Sequence, residues 1–252
     1  MDLTLFFQEQ GIDLFSEVSI DDLSQEDKAS VVQFFPAAQS VIVFGKEVPA
    51  SVYRMPKKEK TNGMLQVAET LDNAAKRLAA ILEKEQVPAK PVPLYLPVRI
   101  SKGNVQGVVR LKPVAAAAGL GSQGKNTVLF NPRFGPRLLL SGVVTSRPVQ
   151  KSQQAENSSG RTEEVCTGCG RCIKVCPERA LGLDGVDTFR CRTVSAWIPP
   201  VLVPTVKWLL GRMLLLKCMA PLAPGIAHTA TIPCSLCVTE CPKFSGEVRS
   251  KI

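Results

Sequence analysis

The sequence predicts an α/β (α+β) domain over residues 1–150 followed by a smaller cysteine-rich domain over residues 151–252. Strand-like apolar runs and one long amphipathic helix fill the first part, whereas all nine cysteines lie in the second. Between them, Arg147 to Glu164 is rich in Gln, Ser, Asn and Glu and almost free of apolar side chains, the composition of a linker and a domain boundary. With 252 residues, 45 % of them hydrophobic, the chain can bury a sizeable core.

Residues 1–35 alternate polar and apolar positions in a helical pattern, with Ser19 and Asp21 and Asp22 offering caps. The run Ser40 to Phe44 (SVIVF) reads as a buried strand that Gly45 ends. Lys57, Lys58 and Lys60 are interrupted by Glu59, which suits a solvated loop or helix start better than RNA contact. Leu65, Ala68, Leu71, Ala75, Leu78, Ala79 and Leu82 then recur at three- and four-residue spacing, predicting one amphipathic helix up to about Glu85. Val87 to Pro97 carries four prolines and reads as an extended connection with an edge strand at Leu94 to Leu96.

A glycine-rich turn follows, containing Gly119, Gly121, Gly124, Lys125 and Asn126. The apolar runs Thr127 to Phe130 and Leu138 to Val144, separated by the Asn131 to Pro136 turn, predict a hairpin. Further on, residues 194–224 form an apolar insertion with Trp197, Trp208 and the run Met213 to Leu216. Pro199, Pro200, Pro204, Lys207, Arg212 and Lys217 interrupt it, so no run reaches the roughly eighteen residues that a membrane span needs. Two readings stay open: a helix buried over the cysteine-rich domain, or an interfacial helix at 198–216 lying on a membrane or partner surface.

The formal charge of +9 suits nucleic acid, an anionic membrane surface, an acidic redox partner or an anionic cofactor, and does not choose among them. The opening residues have no basic stretch, and Leu5 to Phe7 is too short for the core of a secretory signal, so a cytoplasmic, reducing location is expected. His228 is the one histidine, which removes multi-histidine zinc and non-haem iron sites and leaves sulfur as the principal metal ligand.

Cys166, Cys169, Cys172 and Cys176, the last followed by Pro177, have the C-x-x-C-x-x-C-x-x-x-C-P spacing of bacterial ferredoxins. There, three thiolates of a tight loop hold one 4Fe-4S cubane and the fourth ligates the other. A second set, Cys191, Cys234, Cys237 and Cys241, again ends in Cys-Pro. The crossed assignment places Cys166, Cys169, Cys172 and Cys241 on one cluster and Cys176, Cys191, Cys234 and Cys237 on the other. Gly168 and Gly170 let backbone N–H groups approach cluster sulfurs. Zinc is the competing occupant of C-x-x-C pairs, but two complete four-thiolate sets favour a ferredoxin-like domain engaged in low-potential electron transfer. Cys218 has no place in this scheme and reads as a small core residue.

A wider resemblance rests on Leu111 to Pro113, Ala118 to Gly121, Gly124 to Asn126, Asn131 and Pro132, Phe134 and Gly135, and Val144 and Thr145, together with the cysteine sets. In these segments the chain resembles the epoxyqueuosine reductase family, which is related in fold to the core of the reductive dehalogenases. The resemblance implies a corrinoid (cobalamin) in the N-terminal domain, with Gly119, Gly121, Gly124, Lys125 and Asn126 in its pocket and electrons delivered from the ferredoxin-like domain. It also implies tRNA as a substrate or, if the enzymatic role has lapsed, a redox partner protein or corrinoid protein. The family's proton-donating aspartate, a few residues before the proline matched by Pro113, is missing. Gly107 to Lys112 (GVVRLK) offers no carboxylate, leaving Arg110 and Lys112 to bind an anion or partner and Tyr53 or Tyr95 as alternative proton donors.

Overall fold

The structure, a computed structural model, describes residues 1–149, 166–182, 185–195, 198–229 and 231–245. The predicted linker therefore lies outside the described residues, apart from Arg147 to Gln150's preceding residue. Its centre is a four-stranded antiparallel sheet in the order β1-β2-β8-β3, formed by β1 (Leu14–Ser19), β2 (Ser40–Glu47), β3 (Ala89–Pro91) and β8 (Leu138–Thr145).

Period-two alternation sends β2 side chains to opposite faces. Ile42 and Phe44 join Val143 beneath α1 (Leu3–Glu9) and the long α4 (Lys57–Lys84), where Leu71, Leu78 and Leu82 are wholly buried. Val41, Val43 and Val144 face α2 (Gln25–Phe34) and α5 (Leu111–Ala117). Apolar cover on both faces explains why β2 and β8 read as continuous hydrophobic runs. Asp2 caps α1, accepting from the Thr4 N–H at 2.8 Å, and Ser24 caps α2, accepting from the Asp27 N–H at 3.2 Å.

Three sequence expectations need correction. Residues 14–19 form an edge strand inside the stretch that reads as helical, because pairing with β2 overrides weak local preference. Thr127 to Phe130 and Leu138 to Val144 do not pair with each other. β7 (Leu129–Phe130) pairs with β6 (Ser122–Gln123), and β8 is taken on both edges by β2 and β3. The edge strand of the proline-rich connection is Ala89–Pro91 rather than Leu94 to Leu96. A separate hairpin, β4 (Val98–Ser101) with β5 (Asn104–Gly107), lies beyond it.

The cysteine-rich part is built from short pieces: α6 (Arg171–Lys174), β9 (Leu181–Gly182), β10 (Gly185–Val186), α7 (Arg192–Ser195) and α11 (Leu236–Thr239). The apolar insertion between Cys191 and Cys234 forms α8 (Val203–Leu210), α9 (Met213–Met219) and α10 (Ala223–Thr229). α8 and α9 rest on β4. Leu216 and Ala223 are buried, but Val201, Leu202, Trp208 and Leu222 are exposed, so the insertion combines a buried side with an exposed apolar side. Cys218 is exposed as well, contrary to its reading as a core residue. Two residues after buried Leu216, it is turned about 200° around α9, onto the other side.

Candidate iron-sulfur site

The loop from Cys166 to Gly170 turns back on itself because Gly168 and Gly170 take φ of +67° and +70°, a conformation open to glycine at little cost. Gly170 then caps α6, accepting from the Ile173 N–H at 3.1 Å. α11, which carries Cys237, packs against α6, so the two Cys-Pro halves meet across this helix pair.

Cys166, Cys169, Cys172 and Cys241 line one recess. They come from two segments some seventy positions apart in the sequence, and they are the first set of the crossed assignment. Burial raises the Cys241 thiol, and after an opposing backbone N–H the neighbouring Cys169, Cys166 and Cys172 raise it further. Burial also raises Cys172. Around Cys237, burial first and then Cys191, Cys234, Cys172 and Cys176 push the thiol up to about 11. Cys191, Cys234 and Cys176 complete the second set, and Cys172 lies within the field of both. Among the described residues no three His, Cys, Asp or Glu side chains close on a single-ion site. The first set borders a space instead. Cys172, Cys237 and Cys241 therefore resist ionisation on their own, and iron bound by them would displace their protons.

The N-terminal layer closes on these thiols. Asn126 is buried and its Nδ2 donates to the Cys237 carbonyl at 2.9 Å. Lys125 and Asn126 also line the recess of the first set. Thr61 Oγ1 accepts from the Ile232 N–H at 2.8 Å, and Lys60 Nζ reaches Ser235 Oγ at 3.5 Å. Lys60 is only 6 % exposed, although the charge run containing it reads as solvated. Burial lowers its pKa, while nearby Cys234 acts in the opposite sense. Tyr53, in α3 (Ala50–Arg54), packs edge-on against Phe244 at 5.4 Å, and burial pushes its phenol up to about 12 against the opposing pull of Arg137. Arg137 is itself buried and ion-paired to Glu47 at 2.5 Å.

The glycines of the 119–126 turn serve packing. A side chain on Gly121 would come within 2.0 Å of the Phe130 carbonyl, and one on Gly124 within 2.2 Å of the Phe130 ring. Gly119, at φ +78°, makes the turn after α5. The turn thus presents Lys125 and Asn126 to the thiols.

A second, larger recess of about 440 Å³ lies nearby. Its walls are apolar, from Val109, Leu129 and Leu138 to Leu140, and its polar groups are Gln106, Gln123, Arg110 and Lys112. Lys112 is exposed at the mouth of the recess, and desolvation by the protein around it lowers its pKa while Cys237 pulls the other way. One lysine therefore belongs both to the recess and to the surroundings of the second thiol set. Arg110 is held by Glu26 at 2.6 Å and Asp27 at 3.4 Å, carboxylates contributed by α2. Sequence spacing gave no sign of that pairing, because α2 lies more than seventy residues upstream.

Thiol geometry and comparison with known proteins agree on one module, a 4Fe-4S binding domain. Residues 161–182 match the 4Fe-4S binding domain family. Over 72 residues the chain is 33 % identical to epoxyqueuosine reductase of Listeria monocytogenes, an alignment covering 29 % of this chain and 17 % of that one. Over 88 residues it is 30 % identical to tetrachloroethene reductive dehalogenase of Sulfurospirillum multivorans, covering 35 % and 17 %. Its fold superposes on epoxyqueuosine reductase from Bacillus subtilis with a TM-score of 0.57 at 16 % identity, over 96 % of this chain and 65 % of that one. The chain thus resembles epoxyqueuosine reductases over about a third of its sequence and in its fold, and its alignments span only 17 % to 20 % of the first curated relatives' length.

Proposed function

We propose that the chain holds two 4Fe-4S clusters and passes low-potential electrons through them to an acceptor in the recess beside Cys237. Cys166, Cys169, Cys172 and Cys241 would ligate the first cluster, and Cys176, Cys191, Cys234 and Cys237 the second. The observation that carries this reading is the convergence of Cys166, Cys169, Cys172 and Cys241, from segments some seventy positions apart, on one recess.

A corrinoid fits the residues present. The apolar wall of Leu138 to Leu140 suits one face of a corrin ring, Gln106 and Gln123 offer amides to its side chains, and Lys112 offers a cation to its phosphate. Cobalamin, when bound, supplies a cobalt centre that accepts electrons one at a time at low potential. The chain's own part would be to seat one edge of it, to offer Lys112 toward its phosphate, and to set the second cluster beside it. Lys125 and Asn126 support this from the cluster side rather than from the recess.

The second reading is an epoxyqueuosine reductase-like enzyme acting on tRNA. It requires a proton donor, and Tyr53, held at about 12, gives up its proton reluctantly near neutral pH. Burial raises Tyr95 as well, with Glu69 and Asp72 adding to it. The electron-transfer reading needs neither group to act as an acid, and a redox partner protein or corrinoid protein is then the recipient. The test is cobalamin uptake by the anaerobically reconstituted protein, followed by equilibrium dialysis. The expected result is stoichiometric uptake that Lys112→Glu weakens at least tenfold with iron content unchanged. Absence of uptake by the reconstituted parent overturns the corrinoid acceptor.

A further inference from the structure

The insertion between Cys191 and Cys234 contributes no thiol to either set, and its surface is apolar where a soluble face is normally polar. Val201 is 82 % exposed, Leu222 64 %, Trp208 61 % and Leu202 48 %. Val201, Pro204, Thr205 and Trp208 are all exposed and recur at three- and four-residue spacing, which places them on one face of α8 and the turn leading into it. The other side of α8 rests on β4.

Charge gives this face a direction. From Thr188 to Thr239 the sequence contains no Asp or Glu, but it contains Arg190, Arg192, Lys207, Arg212 and Lys217. The Arg212 guanidinium lies 4.1 Å above the exposed Trp208 ring, and Lys207 lies 4.8 Å above Phe189. The carboxylates facing this region belong to other segments: Glu178 pairs with Arg192 and Glu69 with His228. Among the described residues Arg212 has no carboxylate partner, whereas Lys217 lines a groove with Lys90 and Arg99 on the side that faces the N-terminal layer.

We propose that this face docks on the surface of an anionic lipid bilayer, with Val201, Leu202 and Trp208 entering the interfacial layer and Arg212 meeting lipid phosphates. No helix among the described residues is long and apolar enough to cross a membrane, so the contact is peripheral. A long run with cations and no acids is the electrostatic complement of an anionic headgroup layer. An indole exposed beside a cation belongs at the same depth, with its ring in the interface and the charge at the phosphates. A protein partner would take the apolar face, but would not call for the exclusion of acids over so long a segment.

The test is vesicle sedimentation of the reconstituted full chain, comparing phosphatidylcholine vesicles with vesicles containing phosphatidylglycerol. We expect binding at least tenfold tighter to the anionic vesicles, weakened by salt, with a blue shift of Trp208 emission read in a Trp197→Phe background. Val201→Glu combined with Trp208→Glu should abolish binding while iron content stays at the parent level, which shows that the protein is folded. Absence of vesicle binding, equal binding to neutral vesicles, or binding unaffected by the double substitution overturns the proposal. Self-association that the double substitution removes assigns the face to a second copy and overturns it as well. None of these outcomes depends on which acceptor occupies the recess beside Cys237.

Discussion

Cys169, in the first thiol set, is exposed, and its recess opens beside Lys125, Arg171 and Lys243. Cys237, in the second, lies under the N-terminal layer, close to Lys112 and Tyr53 and held by Asn126 through its carbonyl. The two sets share a nearly repeated cysteine pattern, yet their surroundings differ. On the proposed assignment, electrons enter at the open first cluster, which presents cations to an acidic donor. They leave from the enclosed second cluster toward the adjoining recess.

The largest expected effect comes from separating the sets. Cys237→Ala should remove about four of about eight irons and leave a cluster on the first set, and Cys166→Ala should do the converse. Iron analysis checks both. Loss of all iron in either variant would show that the two sets fold as one unit, and would break the comparison.

Asn126→Ala tests the link between the turn and the second set. It leaves the Cys237 carbonyl without its donor, at a cost of about 1–3 kcal/mol, so chemical denaturation should reveal lower stability and faster loss of the second cluster. Gly121→Ala should destabilise by a similar or larger amount, because the added carbon meets the backbone carbonyl of Phe130 rather than a flexible side chain.

A smaller effect is expected from Lys60→Gln. Removing a buried cation beside Cys234 disfavours the more negative reduced state, so the second cluster's potential should become more negative while the first is unchanged. A redox titration followed by electron paramagnetic resonance separates the two. An equal shift of both clusters would contradict their different surroundings.

The effect confined to the narrowest range of conditions is a pH dependence. Burial raises Tyr53 from 10.0 to about 12, so the folded chain holds this proton more tightly than the unfolded chain does. The resulting stability is complete below pH 10 and is lost as pH rises toward 12. Tyr53→Phe should flatten that alkaline loss in thermal unfolding measured across the same window.

How far the sequence speaks depends on whether a feature is local. The α4 stripe from Leu65 to Leu82 and the strand from Ser40 were legible because their periodicity lies within one segment. The cysteine spacing was legible because a cluster demands it. What the spacing cannot carry is pairing between distant segments: β8 reads as half of a hairpin yet sits between β2 and β3, and Lys60 reads as solvated yet is buried against Ser235. The turn at 119–126 was found as a motif, but its direction was not. Asn126 reaches Cys237, more than a hundred residues later, and only the fold shows that. Arg110 likewise finds its carboxylates on α2, outside the segment where an acid would be sought.

The central claim is that two four-thiolate sets hold two clusters of unlike exposure. Iron and acid-labile sulfide analysis of the anaerobically reconstituted chain, with electron paramagnetic resonance of the reduced state, tests it most directly. The account predicts about eight irons and eight sulfides per chain and a spectrum broadened by coupling between two nearby reduced clusters. About four irons with a single uncoupled signal, or zinc in place of iron, would contradict it.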